Sequence, residues 1–330
     1  MKLNQLRYIV EVNRRGLNVS AAAEALFTSQ PGVSKQIRLL EEELGVEIFE
    51  RSGKHFTQLT PAGKEIMAVA ERILGETRTI SGIAAEYGND QAGSLDIATT
   101  HTQARHALPE AVSRFRRDFP QVSLHFHQGT PMQIAEMATS GDVDFAIATE
   151  ALELYDELAI LPCYRWNRSI IVPDGHPLCN QTPVTLEAIA AHPLVTYVFG
   201  FTGRSRLDEA FAKRGLNPDV VFTATDSEVI KTYVQLGLGV GIMASMAFDP
   251  ARDQGLVALD ASHLFEPSIT SIAFRRGAYL RGYMLAFIET FAGHLTPDVV
   301  QQGLQARTPD QRAALFRALE PMLDEAGPRM

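Results

Sequence analysis

The chain has 330 residues, 45% of them hydrophobic, enough for two or more domains with cores of their own. A net charge of -9 excludes broad electrostatic coating of nucleic acid, and two cysteines, Cys163 and Cys179, are too few for a disulfide scaffold. With no signal peptide and no run of about 18 apolar residues, a cytoplasmic protein without a membrane span is expected.

Residues 19–51 carry the first pattern. Ala22, Ala23 and Leu26 stand at helical spacing and lead into a polar break, Thr28-Ser29-Gln30-Pro31. A second helical pattern follows, with Val33, Ile37, Leu40 and Leu44 on one face and Ser34, Lys35 and Arg38 on the other. Two short helices joined by a tight turn have the geometry of a helix-turn-helix, whose second helix enters the DNA major groove. Ser29 or Gln30 can open that helix, and Pro31 is tolerated in a first turn, where its missing N–H has no intrahelical partner. Gln pairs bidentately with adenine, Arg or Lys with guanine, and Ser or Lys with phosphate, so Ser29, Gln30, Pro31, Ser34, Lys35 and Arg38 form the expected reading face. The stretch Arg51-Ser52-Gly53-Lys54-His55-Phe56-Thr57 predicts a basic hairpin, a wing along the backbone or minor groove. Residues 1–60 hold eight Lys+Arg against seven Asp+Glu. DNA contact is therefore expected from the local cluster Lys35, Arg38, Arg51 and Lys54, with Glu41-Glu42-Glu43 turned away from the duplex. The other reading of the pattern is a solvated helix pair in an unrelated α-helical domain.

Thr60-Pro61 opens a long helical pattern that reaches Tyr87 before Gly88-Asn89-Asp90 breaks it. Ile66, Ala70, Ile73, Thr77, Ile80, Ala84 and Tyr87 alternate spacings of four and three, a heptad seam for dimerisation. About 27 residues at 1.5 Å rise make a rod of about 40 Å, comparable to one turn of B-DNA between half-sites. The same spacing also fits a helix packed on its own domain.

Beyond residue 93 the pattern changes. Strands are expected at 94–99, 123–127, 144–148, 169–172, 194–199 and 220–223, mostly separated by helical segments such as 109–119 and 205–214. This is α/β architecture with mainly parallel strands, in two lobes around a cleft, and residues 268–292 return to the first lobe. Ligands in such folds bind beyond the carboxyl ends of strands. Three strand ends here carry similar chemistry: Thr99-Thr100-His101-Thr102-Gln103, then Thr149-Glu150, then Phe199-Gly200-Phe201-Thr202-Gly203-Arg204-Ser205. Hydroxyls and backbone N–H groups at a helix start can hold a small anion such as sulfate or a carboxylate. Each threonine alone also reads as an N-cap.

His101, His127, Glu150 and Asp226 lie near presumed strand ends, but no nucleophile triad order, phosphate loop or metal spacing accompanies them, so neither an enzyme nor a metal site is expected. The cysteines are expected to be small buried residues, with thiol sensing as the alternative. A binding-protein-like α/β pair without a DNA role would explain the cleft but not the first 87 residues.

The order of winged helix-turn-helix, long helix and two-lobed α/β domain resembles the LysR-type transcriptional regulators. The strings ATTHTQAR (98–105), HQGTPMQIAEM (127–137), DFAIATEALEL (144–154), PCYRWNR (162–168), TYVFGFTGRS (196–205) and GLGVGI (237–242) resemble its CysB-type branch, regulators of cysteine biosynthesis and sulfur assimilation. The likeness spans residues 1–297. It implies an α/β fold with an N-terminal all-α winged helix-turn-helix (1–59), a linker and dimerisation helix (60–88), and a two-lobed, periplasmic-binding-protein-like effector domain. Lobe I is expected at 89–164 plus 268–292 and lobe II at 165–267, with a helical extension of unassigned role at 298–330. The resemblance further implies a non-enzymatic regulator, mainly an activator, that needs no cofactor. An acetylserine inducer and sulfate, thiosulfate or sulfide would be its ligands, held by Thr100, Thr102, Gln103, Thr149 and Thr202. A family member sensing a different small anion is the alternative. Implied partners are promoter DNA, further copies of the chain in a dimer of dimers, and RNA polymerase.

Overall fold

The chain divides into two compact units, Met1–Ala85 and Glu86–Met330. The computed structural model describes every residue except Lys54, Asn89, Asp90, Thr202 and 324–330, and the backbone alone of Ala85 and Glu86.

The first unit contains α1 (Leu3–Arg14), α2 (Val19–Ala25), α3 (Gln30–Leu44), β1 (Phe49–Ser52), β2 (His55–Leu59) and most of α4 (Pro61–Gly88). Local chemistry sets each boundary. The Asn18 side chain accepts from Ala21 N–H to start α2, and Ser29 Oγ accepts from Gly32 N–H to start α3. Gly45, with φ of 72°, ends α3 in the left-handed conformation. Ile9, Val12, Val33, Ile37, Leu40 and Ile48 are fully enclosed between the helices. β1 and β2 pair as the expected antiparallel hairpin, with the Phe49 and Phe56 rings stacked at 4.5 Å.

Helix α4 begins against this core. A Cβ on Gly63 would lie 2.0 Å from the Ile48 carbonyl oxygen, so only glycine lets the helix approach so closely. The expected seam divides in two. Ala70 is buried in the winged domain's own core, and Ile66 and Ile73 pack on that core beside Met67 and Leu74. Thr77 Oγ1 bonds back to the Leu74 carbonyl. Only Ile80, Ala84 and Tyr87 stand exposed within this chain. Ala70 thus serves the domain's own core, while Ile66 and Ile73 stay half-buried beside it; a helix on its own domain produces the same periodicity as a helix facing a partner.

The second unit is two-lobed. Lobe I begins with β3 (Ala92–Thr99), a π-helical turn (Gln103–Ala107), α5 (Pro109–Asp118), β4 (Gln121–Gln128), α6 (Pro131–Ser140), β5 (Phe145–Ala148) and β6 (Leu158–Trp166). Lobe II comprises β7 (Arg168–Pro173), α7 (Leu186–Ala190), β8 (Leu194–Tyr197), α8 (Arg204–Lys213), β9 (Val220–Ala224), α9 (Ser227–Gln235), β10 (Val240–Ala244) and β11 (Leu256–Asp260). The chain then re-enters lobe I as β12 (Ser268–Arg275), α10 (Gly282–Phe291), α11 (Pro297–Gln305) and α12 (Pro309–Leu319).

The sheets run β4-β3-β5-β12-β6 and β11-β7-β10-β8-β9. β3 pairs parallel with β4 and β5, and β8 with β9 and β10. β12 pairs antiparallel with β5 and β6, and β7 with β10 and β11. In each sheet four of the five strands therefore run in one direction, as expected, and one, β12 or β7, runs against them. Two crossings between lobes, β6 to β7 and β11 to β12, bring strands into each sheet against the direction set by its βαβ units.

The segment after residue 297 is no free extension as far as it is described. α11 and α12 cover edge strand β6: Gly303 sits against Leu161, Arg276 Nη1 donates to the Ala306 carbonyl at 2.7 Å, and Arg165 pairs with Glu320 at 3.1 Å. Covering an edge removes a row of unpaired backbone groups from solvent. Among the described residues, no helix is long and apolar enough to cross a membrane.

Candidate functional site

The exposed face of α3 carries the groups expected to read DNA. Ser29, Gln30, Pro31, Lys35 and Arg38 are exposed and Ser34 is half-buried. Gln30 Nε2 donates to Ser34 Oγ at 3.2 Å, holding two polar side chains of consecutive turns together. Arg38 pairs with Glu42 at 2.8 Å across an exposed helix turn, a contact weak enough in water to yield to a phosphate. Glu42 therefore lies beside the reading face, not away from it.

Glu41 is no solvated acid either. It is buried, and its Oε1 accepts from Ile48 N–H at 2.9 Å and Phe49 N–H at 3.3 Å, while Oε2 accepts from Arg51. Arg51, expected on DNA, is committed to this carboxylate and lies over the Phe56 ring at 5.2 Å. Lys54 lies outside the described residues. Phe27 escaped the sequence reading: it sits 98% exposed at φ of 50° in the turn before α3. A large aromatic directly before a polar turn was its available signal.

In the second unit, the carboxyl ends of β3 and β5 bring Thr100, Thr102, Gln103 and Thr149 to one end of lobe I. Thr99 Oγ1 donates to the Ile147 carbonyl at 3.0 Å and locks the two strand ends together. Thr100 and Thr102 are buried on the turn that follows β3. Thr102 Oγ1 and the Tyr197 hydroxyl, from opposite lobes, are buried side by side in loose contact with each other, and no short, well-aligned hydrogen bond satisfies either among the described residues. Burial pushes the Tyr197 hydroxyl up to about 12, so it remains a neutral donor. Two buried hydroxyls so loosely met are better satisfied when a ligand or water accepts from them.

Gln103 is engaged by the protein itself. Its Nε2 donates to Thr270 Oγ1 at 3.0 Å, and its Oε1 accepts from the Tyr164 hydroxyl. Thr270 Oγ1 also receives Trp166 Nε1 at 3.1 Å and lies 3.3 Å from Thr149 Oγ1. Both ends of the Gln103 amide are thus engaged inside lobe I, where they orient the wall behind the threonines. Thr202, the lobe II member of the expected set, lies outside the described residues.

Around this site the lobes are joined by charge. His101 Nε2 approaches Asp226 Oδ2 at 3.2 Å, Arg105 pairs with Glu228 at 3.2 Å, and His106 Nε2 lies 3.4 Å from Ser227 Oγ. Burial drives the His106 imidazole down to about 4. His127 instead pairs with Asp96 at 2.9 Å on lobe I, so His101, His127, Glu150 and Asp226 do not converge on one reacting centre. Among the described residues, no group of three His, Cys, Asp or Glu is arranged to hold a metal ion. Cys163 is buried, with its thiol held well above the usual range by burial, and Cys179 is half-buried.

At the hinge, Arg168 begins β7 almost fully enclosed. It was quoted in the sequence only as part of a motif, because an arginine's burial leaves no mark in a local pattern. The same holds for Tyr164, Trp166 and Tyr197.

Comparison with known proteins agrees with both units. Residues 3–64 match the family described as "Bacterial regulatory helix-turn-helix protein, lysR family", and residues 88–296 match the "LysR substrate binding domain". The chain is 54% identical over 320 residues to the HTH-type transcriptional regulator CysB of Haemophilus influenzae, covering 97% of this chain and 99% of that one. It is 50% identical to the regulator SsuR of Burkholderia cenocepacia, over 89% of this chain and 96% of that protein. The crystal structure of the cofactor-binding domain of the Cbl transcriptional regulator superposes with a TM-score of 0.63 at 45% identity, covering 66% of this chain and 96% of that domain. With a helix-turn-helix and a two-lobed effector domain of this type in one chain, the protein belongs to the LysR family of bacterial transcriptional regulators.

Proposed function

We propose that this LysR-type regulator controls genes of cysteine biosynthesis and sulfate assimilation, mainly as an activator, and that the interlobe cleft is its sensor. Its ligands are an acetylserine inducer and a sulfate-like anion, both bound at Thr100, Thr102, Thr149 and Thr202. The α3 face reads promoter DNA, copies of the chain assemble as a dimer of dimers, and the bound assembly engages RNA polymerase. The chain performs no chemistry on its ligand.

The observation that carries this reading is the pair of buried hydroxyls of Thr102 and Tyr197, one from each lobe, which touch each other but make no well-aligned hydrogen bond among the described residues. Donors of this kind suit a ligand rich in oxygen acceptors. A ligand bridging both lobes binds a particular lobe arrangement better than others, and only such differential affinity can shift the geometry offered to DNA.

Calorimetric titration of the full chain with sulfate and with acetylserine tests the site. Thr100→Val is expected to weaken both about tenfold, the loss of one or two buried hydrogen bonds, while leaving DNA affinity without ligand unchanged. Equal affinities in wild type and variant would overturn the site, and binding of other small carboxylates alone would redirect it to a different anion.

A further inference from the structure

Gln30, Ser34, Arg38 and Glu42 follow one another along α3 at intervals of one turn. Each step rises about 6 Å, which brings each side chain within reach of the next. Gln30 Nε2 donates to Ser34 Oγ at 3.2 Å, and Arg38 Nε donates to Glu42 Oε1 at 2.8 Å. An amide, a hydroxyl and a guanidinium suit DNA, but the stripe ends in a carboxylate, which phosphates repel.

Glu42 is opposed from two directions. It lies in the last turn of α3, where the helix dipole disfavours an acid and no basic residue shares the turn. On the duplex it also faces the phosphates. The acids on either side of it serve the fold: Glu41 is buried against the Ile48 and Phe49 N–H groups and Arg51, and Glu43 pairs with the Met1 amino group. Glu42 is exposed, and Arg38 is the cation it meets. Arg38, Arg51, Glu41, Glu42 and Glu47 line one open groove beside Gly45. Arg51 is committed to Glu41 there, whereas the Arg38 contact is exposed and easily broken.

We propose that Glu42 is a positioning residue that restrains DNA binding: it holds Arg38 in the free chain, and a phosphate must displace it before Arg38 grips the duplex. The proposal rests on the reading of α3 as the DNA face and adds a residue set against affinity. A restrained phosphate grip keeps affinity for arbitrary sequence low, so base contacts decide where the chain stays.

Fluorescence anisotropy of the full-length chain on a mixed-sequence duplex, over a series of salt concentrations, tests this. The proteins compared are wild type, Glu42→Gln, Arg38→Ala, Lys35→Ala and the double variant Arg38→Ala with Glu42→Gln. Glu42→Gln is expected to bind about fivefold more tightly at low salt, with a salt slope steeper by up to about one, because no carboxylate takes up a cation when Arg38 leaves it. In the Arg38→Ala background the same change is expected to gain only about twofold, the share due to direct repulsion of phosphates. The urea midpoint of Glu42→Gln is expected at or above that of wild type, since an acid leaves the last turn of a helix. Lys35→Ala and Arg38→Ala are each expected to weaken binding. Glu42→Gln binding within about twofold of wild type, or more weakly, overturns the restraint, and equal gains with and without Arg38 overturn its route through Arg38. If Lys35→Ala and Arg38→Ala both leave affinity unchanged, the reading of α3 fails and the proposal with it.

Discussion

Arg168 donates from Nη2 to the carbonyl of Gly203 at 2.8 Å and to Ser268 Oγ at 3.1 Å. Its guanidinium lies 5.2 Å over the Trp166 ring, and although burial lowers its pKa to about 10, it remains charged at neutral pH. One side chain thereby ties the first strand of lobe II, the turn before α8 and the return strand β12 at the point where the chain crosses between lobes.

Gly203→Ala breaks that tie. Gly203 has φ of 72°, and an added Cβ would lie 1.9 Å from Arg168 Nη2, so both backbone strain and a displaced buried cation follow. The expected loss is about 3 kcal/mol of stability, with weaker ligand binding, since Gly203 directly follows Thr202 in the sequence. Denaturant unfolding checks the first and calorimetry the second; a loss under about 1 kcal/mol would mean that Arg168 swings aside at little cost.

Glu41→Ala is expected to cost about 2 to 3 kcal/mol, because it leaves the buried N–H groups of Ile48 and Phe49 unsatisfied and Arg51 without its partner. For the same reason Arg51→Ala lowers stability more than it lowers DNA affinity. Measured against salt, its DNA-binding slope should stay closer to wild type than that of Lys35→Ala. Equal slope losses for the two variants would return Arg51 to the phosphate backbone.

These two networks also show where sequence reading stopped. The reading helix was legible because Ser29, Pro31 and Gly45 are local signals whose effect does not depend on the rest of the chain. Glu41 looked like part of an acidic run, since only tertiary packing turns it inward. Ala70 and Ile73 fitted a dimer seam because core and seam share one period. β10, every residue of it buried, shows no alternation, and β6 contains Pro162, which marks an edge strand only once its neighbours are known. In the cleft, Thr100 and Thr102 were legible from their place before a helical turn. The Gln103 amide matched a ligand's needs as well as it matched Thr270 and Tyr164, and sequence cannot tell those partners apart.

Gln30→Ala should relax base preference at one position of the operator, at about 1 to 3 kcal/mol of lost discrimination, with little change in salt dependence. It also frees Ser34 Oγ from its 3.2 Å contact. Lys35→Ala should weaken all sequences about equally and reduce the salt slope by about one. Binding profiles over a randomised operator library distinguish the two; identical profiles for wild type and Gln30→Ala would remove Gln30 as a base reader.

The pH dependence of folding sets two groups against each other. Burial drives His106 down to about 4 from 6.5, so the folded chain binds fewer protons there than the unfolded one. The stability tied to neutral His106 is fully present above pH 6.5 and is lost as pH falls toward about 4. Asp144, whose carboxylate accepts from Asp96 N–H at 2.8 Å, is raised by burial from 3.8 to about 6, so the folded chain binds more protons there. Its contribution is fully present below pH 3.8 and is lost as pH rises through about 6. Each amounts to about 3 kcal/mol, and between those limits they nearly cancel. Single substitutions should expose them. Relative to wild type, Asp144→Asn should gain stability as pH rises from about 4 to 6, and His106→Asn should lose its advantage over the same interval. Asp96 and Arg281 face Asp144, and Glu228, Lys231, Arg105 and Asp226 face His106, so neither variant disturbs the other's surroundings. Denaturant midpoints across this range that move in parallel for both variants and wild type would mean that neither group titrates with the shift its burial demands.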